Sequence, residues 1–366
     1  MAKNQMINTL EVRKDGWGKT RVVSEPLTGE LNENEVLLKV DSFALTANNI
    51  SYAGAGDLLG YWGFFPTEEG WGRIPAMGWA EVTASAHPDI EPGERVWGFF
   101  PFSTHVKILA GGVKPDSFHD ISQHRAEYAP IYARFERASA NPIYDATRED
   151  RDSLLRGLFM TSWLVEDFMT VNKYFGASAC LITSASSKTS IALGYCVKKH
   201  GAIKSVGITS AGNVAFCESL GCYDKVITYQ NIASLDADEP VVTVDMAGSA
   251  VVLSDLHHHY GDNMKYSCQI GATHYEEMGA VDDLPGATPE FFFAPGHIQT
   301  RSAEVGATEL MTSMGKDYVD FRADSERWLG INYSYGSRAL EETYQTVLAG
   351  RSNPASGQIV SMWPQN

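Results

Sequence analysis

The stretch Ala179-Cys180-Leu181-Ile182-Thr183-Ser184-Ala185-Ser186-Ser187-Lys188-Thr189-Ser190 decides the reading of the fold. Ala179 to Ile182 has the apolar character of a buried strand, and Ile191 to Val197 suits the helix that follows. Between them lies a hydroxyl-rich turn. At the carboxyl end of such a strand, the first helical turn offers unpaired N–H groups and a field that favours pyrophosphate. Dinucleotide sites usually place GxGxxG here, for a tight turn and close backbone approach, yet this segment has no glycine before Gly194. Small Ser and Ala side chains still permit approach. Ser184, Ser187 and Thr189 offer hydroxyl donors, and Lys188 offers a charge. The pattern is not a P-loop, because GxxxxGK[ST] is absent. The alternative reading is a serine-rich helix cap with an exposed lysine.

Outward from that turn, strands and helices alternate. Ser205 to Ile208 reads as a second strand, Val226 to Tyr229 as a third, Val241 to Asp245 as a fourth and Tyr266 to Ile270 as a fifth. Apolar strands joined by helix-length crossovers imply a parallel sheet covered on both faces. The turn after the second strand, Thr209-Ser210-Ala211-Gly212-Asn213, carries no acid. An Asp or Glu there commonly receives the ribose hydroxyls of NAD. A neutral polar turn leaves room for the extra phosphate of NADP, with Thr209, Ser210 and Asn213 as its candidate ligands. The expected cofactor is therefore NADP. The plain alternative is an Asn-capped helix.

Residues 1–115 are rich in strand and turn signals, and 366 residues exceed one ordinary hydrophobic core. Tyr61-Trp62-Gly63-Phe64-Phe65-Pro66 either lines a ligand cleft or packs as a lid on the core. A formal net charge of −16 argues against nucleic-acid and anionic-membrane binding. The opening residues lack the apolar core of a signal peptide, and no stretch approaches the roughly 20 apolar residues of a membrane span. The five cysteines form no CxxC pair and read as buried thiols, so no disulfide is expected. A cytoplasmic protein is expected.

The order of elements resembles the medium-chain dehydrogenase/reductase superfamily, on its zinc-independent, quinone-oxidoreductase-like side. Tyr61 to Pro66, Ser184 to Thr189 and Pro289-Glu290-Phe291-Phe292-Phe293-Ala294-Pro295 are similar to a branch of it catalogued as a domain of unknown function. The resemblance implies an α/β protein: a GroES-like, β-rich substrate domain with an inserted Rossmann parallel-sheet domain. The corresponding spans are residues 1–150 and 301–366 for the first and 151–300 for the second. It implies a homodimer formed through the nucleotide domains. Where zinc-dependent relatives carry Cys and Gly-His-Glu, this chain has Ala47 to Tyr52 and Gly78-Trp79-Ala80-Glu81, so no metal is expected. His257-His258-His259 near a helix end reads as solvated or capping. Tyr52 roughly matches a tyrosine near substrate and nicotinamide in relatives. With an ordinary pKa near 10 it suits a proton donor, although it could equally pack at the domain crossover. Asn49 is a candidate for fixing a carbonyl or ribose, or equally for making turn hydrogen bonds, and His105 for facing the cleft. Lys188 has two candidate jobs, phosphate binding and substrate polarisation. The expected activity is NADPH-dependent reduction of a small to medium apolar or aromatic carbonyl or activated alkene. A non-redox lyase or hydratase, and a noncatalytic nucleotide-binding protein, are the alternatives.

Overall fold

A computed structural model describes residues 5–27, 30–58, 60–201, 203–246, 248–270 and 284–365. The chain forms two compact units, Met1–Leu154 with Leu329–Asn366, and Leu155–Trp328. The first begins with β1 (Met6–Arg13), β2 (Gly16–Pro26), β3 (Glu35–Leu45), α1 (Ala47–Gly54), β4 (Trp71–Gly72), β5 (Pro75–Ser85) and β6 (Arg95–Pro101). β7 (His105–Lys114), β8 (Ser117–Asp120), β9 (Arg134–Arg137) and the single turn α2 (Glu149–Arg151) follow. The second unit opens with α3 (Gly157–Val171), β10 (Ala179–Ile182), α4 (Lys188–His200), β11 (Lys204–Thr209), α5 (Val214–Leu220) and β12 (Lys225–Thr228). It continues with β13 (Val241–Asp245), α6 (Ala250–Tyr260), β14 (Met264–Gln269), β15 (Pro289–Phe291), α7 (Ala294–Val305) and α8 (Ala307–Asp324). The chain then returns to the first unit with β16 (Gly330–Tyr335), α9 (Ser337–Leu348) and β17 (Ser356–Ser361).

In the first unit, strands run in the order β3-β5-β6-β9-β8-β7, and β7 pairs back onto β3 to close the sheet into a GroES-like barrel. β17 and β16 extend it from β3. The sequence of β3 shows why one face fills the core. Val36, Leu38 and Val40 alternate inward; the register shifts between Val40 and Ser42, and Phe43 and Leu45 take over the inward phase. Rings of Phe100, Phe102, Phe118 and Phe135 complete this core, each fully buried. On α9, Leu340, Tyr344 and Val347 are buried at helical spacing. Tyr344 donates its hydroxyl to the Trp17 carbonyl at 2.9 Å.

In the second unit every pairing of the six-stranded sheet is parallel, in the order β12-β11-β10-β13-β14-β15. Successive strands step outward from β10 in one direction and then, from β13, in the other. That reversal leaves a crevice at the carboxyl ends of β10 and β13, where open α/β sheets take their ligands. The five strands anticipated from the sequence are present within a residue or two. β15 was not anticipated. It is short and its strand-like residues sit inside the Phe-rich patch, of which Phe292 is buried while Phe291 and Phe293 are exposed.

Close approach fixes one glycine of the barrel. A Cβ on Gly78 would lie 2.4 Å from the Ser42 carbonyl oxygen and 2.9 Å from the Phe43 Cα, both of them backbone atoms. Gly78→Ala is therefore expected to cost about 2 kcal/mol through overpacking. A lower urea midpoint checks this, and an unchanged midpoint refutes it.

Candidate functional site

The turn after β10 is built from buried polar groups. Thr183, 1% exposed, donates its hydroxyl to Asp245 Oδ1 on β13 at 2.6 Å and accepts from the Met246 N–H at 3.0 Å. Its carbonyl accepts from the Ser190 hydroxyl at 2.8 Å, which ties the strand end to the first turn of α4. Ser184 then adopts a left-handed conformation, with φ of 49°, at the point where a dinucleotide loop ordinarily has its first glycine. The Ser184 N–H donates to the Tyr229 hydroxyl at 3.2 Å. Ala185 is fully buried, its N–H bonded to the Ile208 carbonyl at 3.0 Å and its carbonyl accepting from Tyr223 at 2.8 Å. Tyr223 reaches that carbonyl past Gly194, where a Cβ would lie 2.6 Å from the Tyr223 ring.

Ser187 is the N-cap of α4; its hydroxyl accepts from the Ser190 N–H at 3.1 Å and donates to the Ser190 hydroxyl at 2.8 Å. The capping alternative thus holds for Ser187. Thr189 is half-buried, and its carbonyl accepts from the Ser162 hydroxyl at 2.7 Å. Lys188 is half-buried as well, not fully exposed, and burial pulls its ammonium from the usual 10.5 down to about 8. At the end of β11, Thr209 is buried and Ser210 exposed. Asn213 donates to the Ser186 hydroxyl oxygen at 3.0 Å, and the Thr209 hydroxyl lies 3.4 Å from the same atom.

These residues fit a dinucleotide in backbone shape: a left-handed turn, a small buried alanine and a capped helix N-terminus at the carboxyl end of a parallel strand. Several loop hydroxyls serve the loop itself. The groups that could hold a pyrophosphate are the first turn of α4 and the Lys188 ammonium, with Ser210 and Asn213 beside them for an adenosine phosphate. The sequence reasoning missed Tyr223, Tyr229 and Asp245, which shape the turn from 38, 45 and 62 residues away in the chain.

In the barrel unit, Tyr52 on α1 is half-buried in a ring cluster, 4.7 Å from Tyr61 and 5.5 Å from Phe99 between centroids. Burial, reinforced by Tyr132, raises its phenol above the usual 10, so it is a neutral donor at physiological pH. The aromatic loop that supplies Tyr61 is packed: Tyr61, Trp62, Phe64 and Phe65 are all buried. Asn49 has structural duties. Its Oδ1 accepts from the Thr46 N–H at 2.7 Å at the start of α1, and its Nδ2 donates to the Pro75 carbonyl at 2.8 Å. His105 is buried elsewhere in the barrel, edge-on to Trp363 at 5.3 Å, with Thr104 Oγ1 3.3 Å from Nδ1. Burial, then the charge of Lys39, lowers its pKa. It shares none of the ring contacts of Tyr52.

The histidine run divides. His258 bonds its own helix at Ser254, whereas His257 is fully buried, with Nδ1 2.9 Å from the Pro285 carbonyl and Nε2 2.9 Å from the Ser267 hydroxyl. A solvated or capping role therefore does not describe His257: a proton on Nδ1, donated to Pro285, leaves Nε2 to accept from Ser267. Among the described residues, no group of three or more His, Cys, Asp or Glu is placed to hold a metal ion. All five cysteines are buried free thiols.

Solved structures share this architecture over almost their whole length. A Bacillus thuringiensis protein provisionally named an NADPH:quinone reductase is 12% identical, with a TM-score of 0.60 over 98% of this chain and 99% of that one. A mutant enoyl thioester reductase from Candida tropicalis is 12% identical, at 0.57 over 98% and 100%. The CurF cyclopropanase of curacin A biosynthesis is 11% identical, at 0.60 over 98% and 99%. No curated protein matches the sequence. At such identity the likeness is one of fold, a GroES-like barrel unit with a Rossmann-like parallel-sheet unit. Residues 43–353 match the family described as protein of unknown function (DUF2855), and the chain belongs to that family.

The desolvated lysine yields a test. Between about 8 and 10.5 the folded chain holds fewer protons at Lys188 than the unfolded chain, so its folding penalty is fullest below about 8 and shrinks as pH rises. Lys188→Met should raise the thermal midpoint at neutral pH, and the gain should narrow in alkaline buffer. Calorimetry in both buffers checks it; a lowered midpoint at neutral pH refutes the desolvation account.

Proposed function

We propose that this chain is an NADPH-dependent reductase of small to medium apolar or aromatic carbonyls or activated alkenes, or catalyses the reverse oxidation. The observation that carries the reading is the left-handed Ser184 turn leading into the capped N-terminus of α4, beside an acid-free turn at the end of β11. Bound NADPH supplies the hydride. Lys188 and the first turn of α4 hold the pyrophosphate by charge and N–H donors, and Ser210 and Asn213 receive the adenosine phosphate. Tyr52 donates the proton that completes reduction of a carbonyl oxygen or an enolate. The ring cluster around Tyr52 supports an apolar or aromatic substrate. A cytoplasmic enzyme agrees with the absence, among the described residues, of any helix long and apolar enough to cross a membrane. A homodimer through the nucleotide unit agrees with the exposed Phe291, at the end of the edge strand β15, and Phe293 just beyond it.

Titration with NADPH, NADP, NADH and NAD tests the reading. Saturable binding that favours NADPH is expected, and no binding by any of the four at millimolar concentration overturns it. Lys188→Ala should weaken NADPH binding by roughly 10-fold or more, the scale of one charge-assisted hydrogen bond. Tyr52→Phe should lower turnover of aromatic aldehydes, quinones or enones by about 100-fold while leaving NADPH affinity unchanged. Unchanged turnover removes Tyr52 from the role.

A further inference from the structure

A second polar cluster lies in the nucleotide unit, at the opposite ends of β10 and α4 from the serine turn. Glu166 on α3 is 1% exposed. Its Oε1 accepts from the Thr170 hydroxyl at 2.7 Å and the Tyr174 hydroxyl at 2.9 Å. Its Oε2 lies 2.5 Å from Nδ1 of His200, the last residue of α4. The other ring nitrogen of His200 is 3.3 Å from Asp317 Oδ2 on α8. Asp317 also accepts from the Trp163 indole at 2.9 Å and pairs with Lys199 at 2.6 Å, while Lys199 pairs in turn with Asp320 at 2.7 Å. One imidazole thus links carboxylates from two other helices.

Beside it, the chain between α3 and β10 does something L-residues avoid. Lys173, Tyr174 and Phe175 all have positive φ, at 51°, 47° and 53°, and Gly176 follows at 78°. A run of left-handed residues with side chains crowds each Cβ against the following carbonyl, so neighbouring contacts must hold it. Two are evident. The Tyr174 hydroxyl is bonded to Glu166, and the Phe175 ring lies flat on Tyr266, 4.2 Å between centroids and 6° from parallel.

We propose that His200, charged between Glu166 and Asp317, is a proton-dependent latch on the left-handed turn Lys173–Gly176, and that loss of its proton frees the turn. The groups facing the imidazole set the direction. Glu166 from α3 and Asp317 from α8 favour the imidazolium; Lys199 beside it on α4 opposes it but is itself paired with Asp317 and Asp320; Tyr174 is a neutral donor. The His200 side chain is 31% exposed, so water reaches it, while the Glu166 side chain is 2% exposed. The hydrogen bond that its Nδ1 donates to Glu166, opposed by burial, raises the imidazole above its ordinary 6.5. Its contribution is complete below 6.5 and fades as pH rises through the raised value. Burial acts to raise Asp317, but hydrogen bonds from Lys199 and Trp163 outweigh it and hold the carboxylate below 3.8. That contribution is complete above 3.8 and fades only as pH falls through the lowered value. The latch is closed below 6.5 and opens as pH rises through the raised value. Once His200 is neutral it has no charge and a single N–H for two carboxylate partners, so its hold on Glu166, the acceptor of the Tyr174 hydroxyl, weakens.

Amide hydrogen exchange of the full chain, corrected for intrinsic rates, tests this at about pH 6 and about pH 9. Protection over residues 172–179 should fall by about tenfold or more, while Val241–Asp245 stays protected. His200→Gln, which hydrogen-bonds but carries no charge, should show the low protection at both values. Protection that is independent of pH, an equal loss at Val241–Asp245, or a pH-dependent drop retained by His200→Gln overturns the latch. A titration of the wild-type chain by NMR of labelled histidine needs no variant to fold: the resonance of His200 should titrate above 6.5, and a midpoint at or below 6.5 overturns the proposal.

Discussion

The bond from the Thr183 hydroxyl to the Asp245 carboxylate, 2.6 Å long and 1% exposed at both ends, governs the nucleotide unit. A carboxylate that dry is tolerable only if its oxygens are satisfied, and Asp245 also accepts from the Gly248 N–H at 3.1 Å. The junction joins the ends of β10 and β13 at the point where strand order reverses. Thr183 passes the constraint on, because its carbonyl holds Ser190 and its side chain holds Met246. The serine turn is therefore suspended from a buried polar knot, and its shape does not rely on glycine.

That arrangement explains why the turn could be found by position and not by motif. Glycine loops obtain close approach by having no side chains. Here Ser187 and Ser190 turn their hydroxyls inward and satisfy each other, and Ala185 is buried beneath Tyr223. The cost falls at Ser184, held in a conformation that glycine adopts more easily, and at Lys188, partly desolvated at the positive end of a helix. A local positive field at a helix N-terminus suits an anionic ligand such as a phosphate.

Much of the second unit was legible in the sequence because parallel strands buried on both faces must be apolar runs, as Ala179 to Ile182 and Val241 to Asp245 are. β15 was not, since three residues inside a Phe-rich stretch carry no period. In the site, the serine turn, Lys188 and the acid-free turn were readable from their place after strands. Tyr223, Tyr229 and Asp245 were not, because each acts through a contact dozens of residues distant. Asn49 shows the reverse case: an Asn in a turn reads equally as a ligand-binding group or as a turn hydrogen bonder, and only the Pro75 carbonyl, brought across by the barrel, gives its amide a partner. The aromatic loop from Tyr61 to Pro66 was ambiguous for the same reason, since composition cannot distinguish a cleft lining from a buried wedge.

The pairing of β17 with β3 bears on how the polypeptide is made. Gln358, Ile359 and Val360 lie opposite Leu45, Ala44 and Phe43, so the barrel unit awaits a strand that follows the whole nucleotide unit in the chain. The nucleotide unit is continuous in sequence, from Leu155 to Trp328. During synthesis it can settle while the earlier strands still lack their partner at the edge of β3, leaving the hydrogen-bonding groups of Phe43 to Leu45 open to other chains. Barrel strands made before the nucleotide unit are completed only after it, and their open strand is the vulnerable surface of the nascent protein.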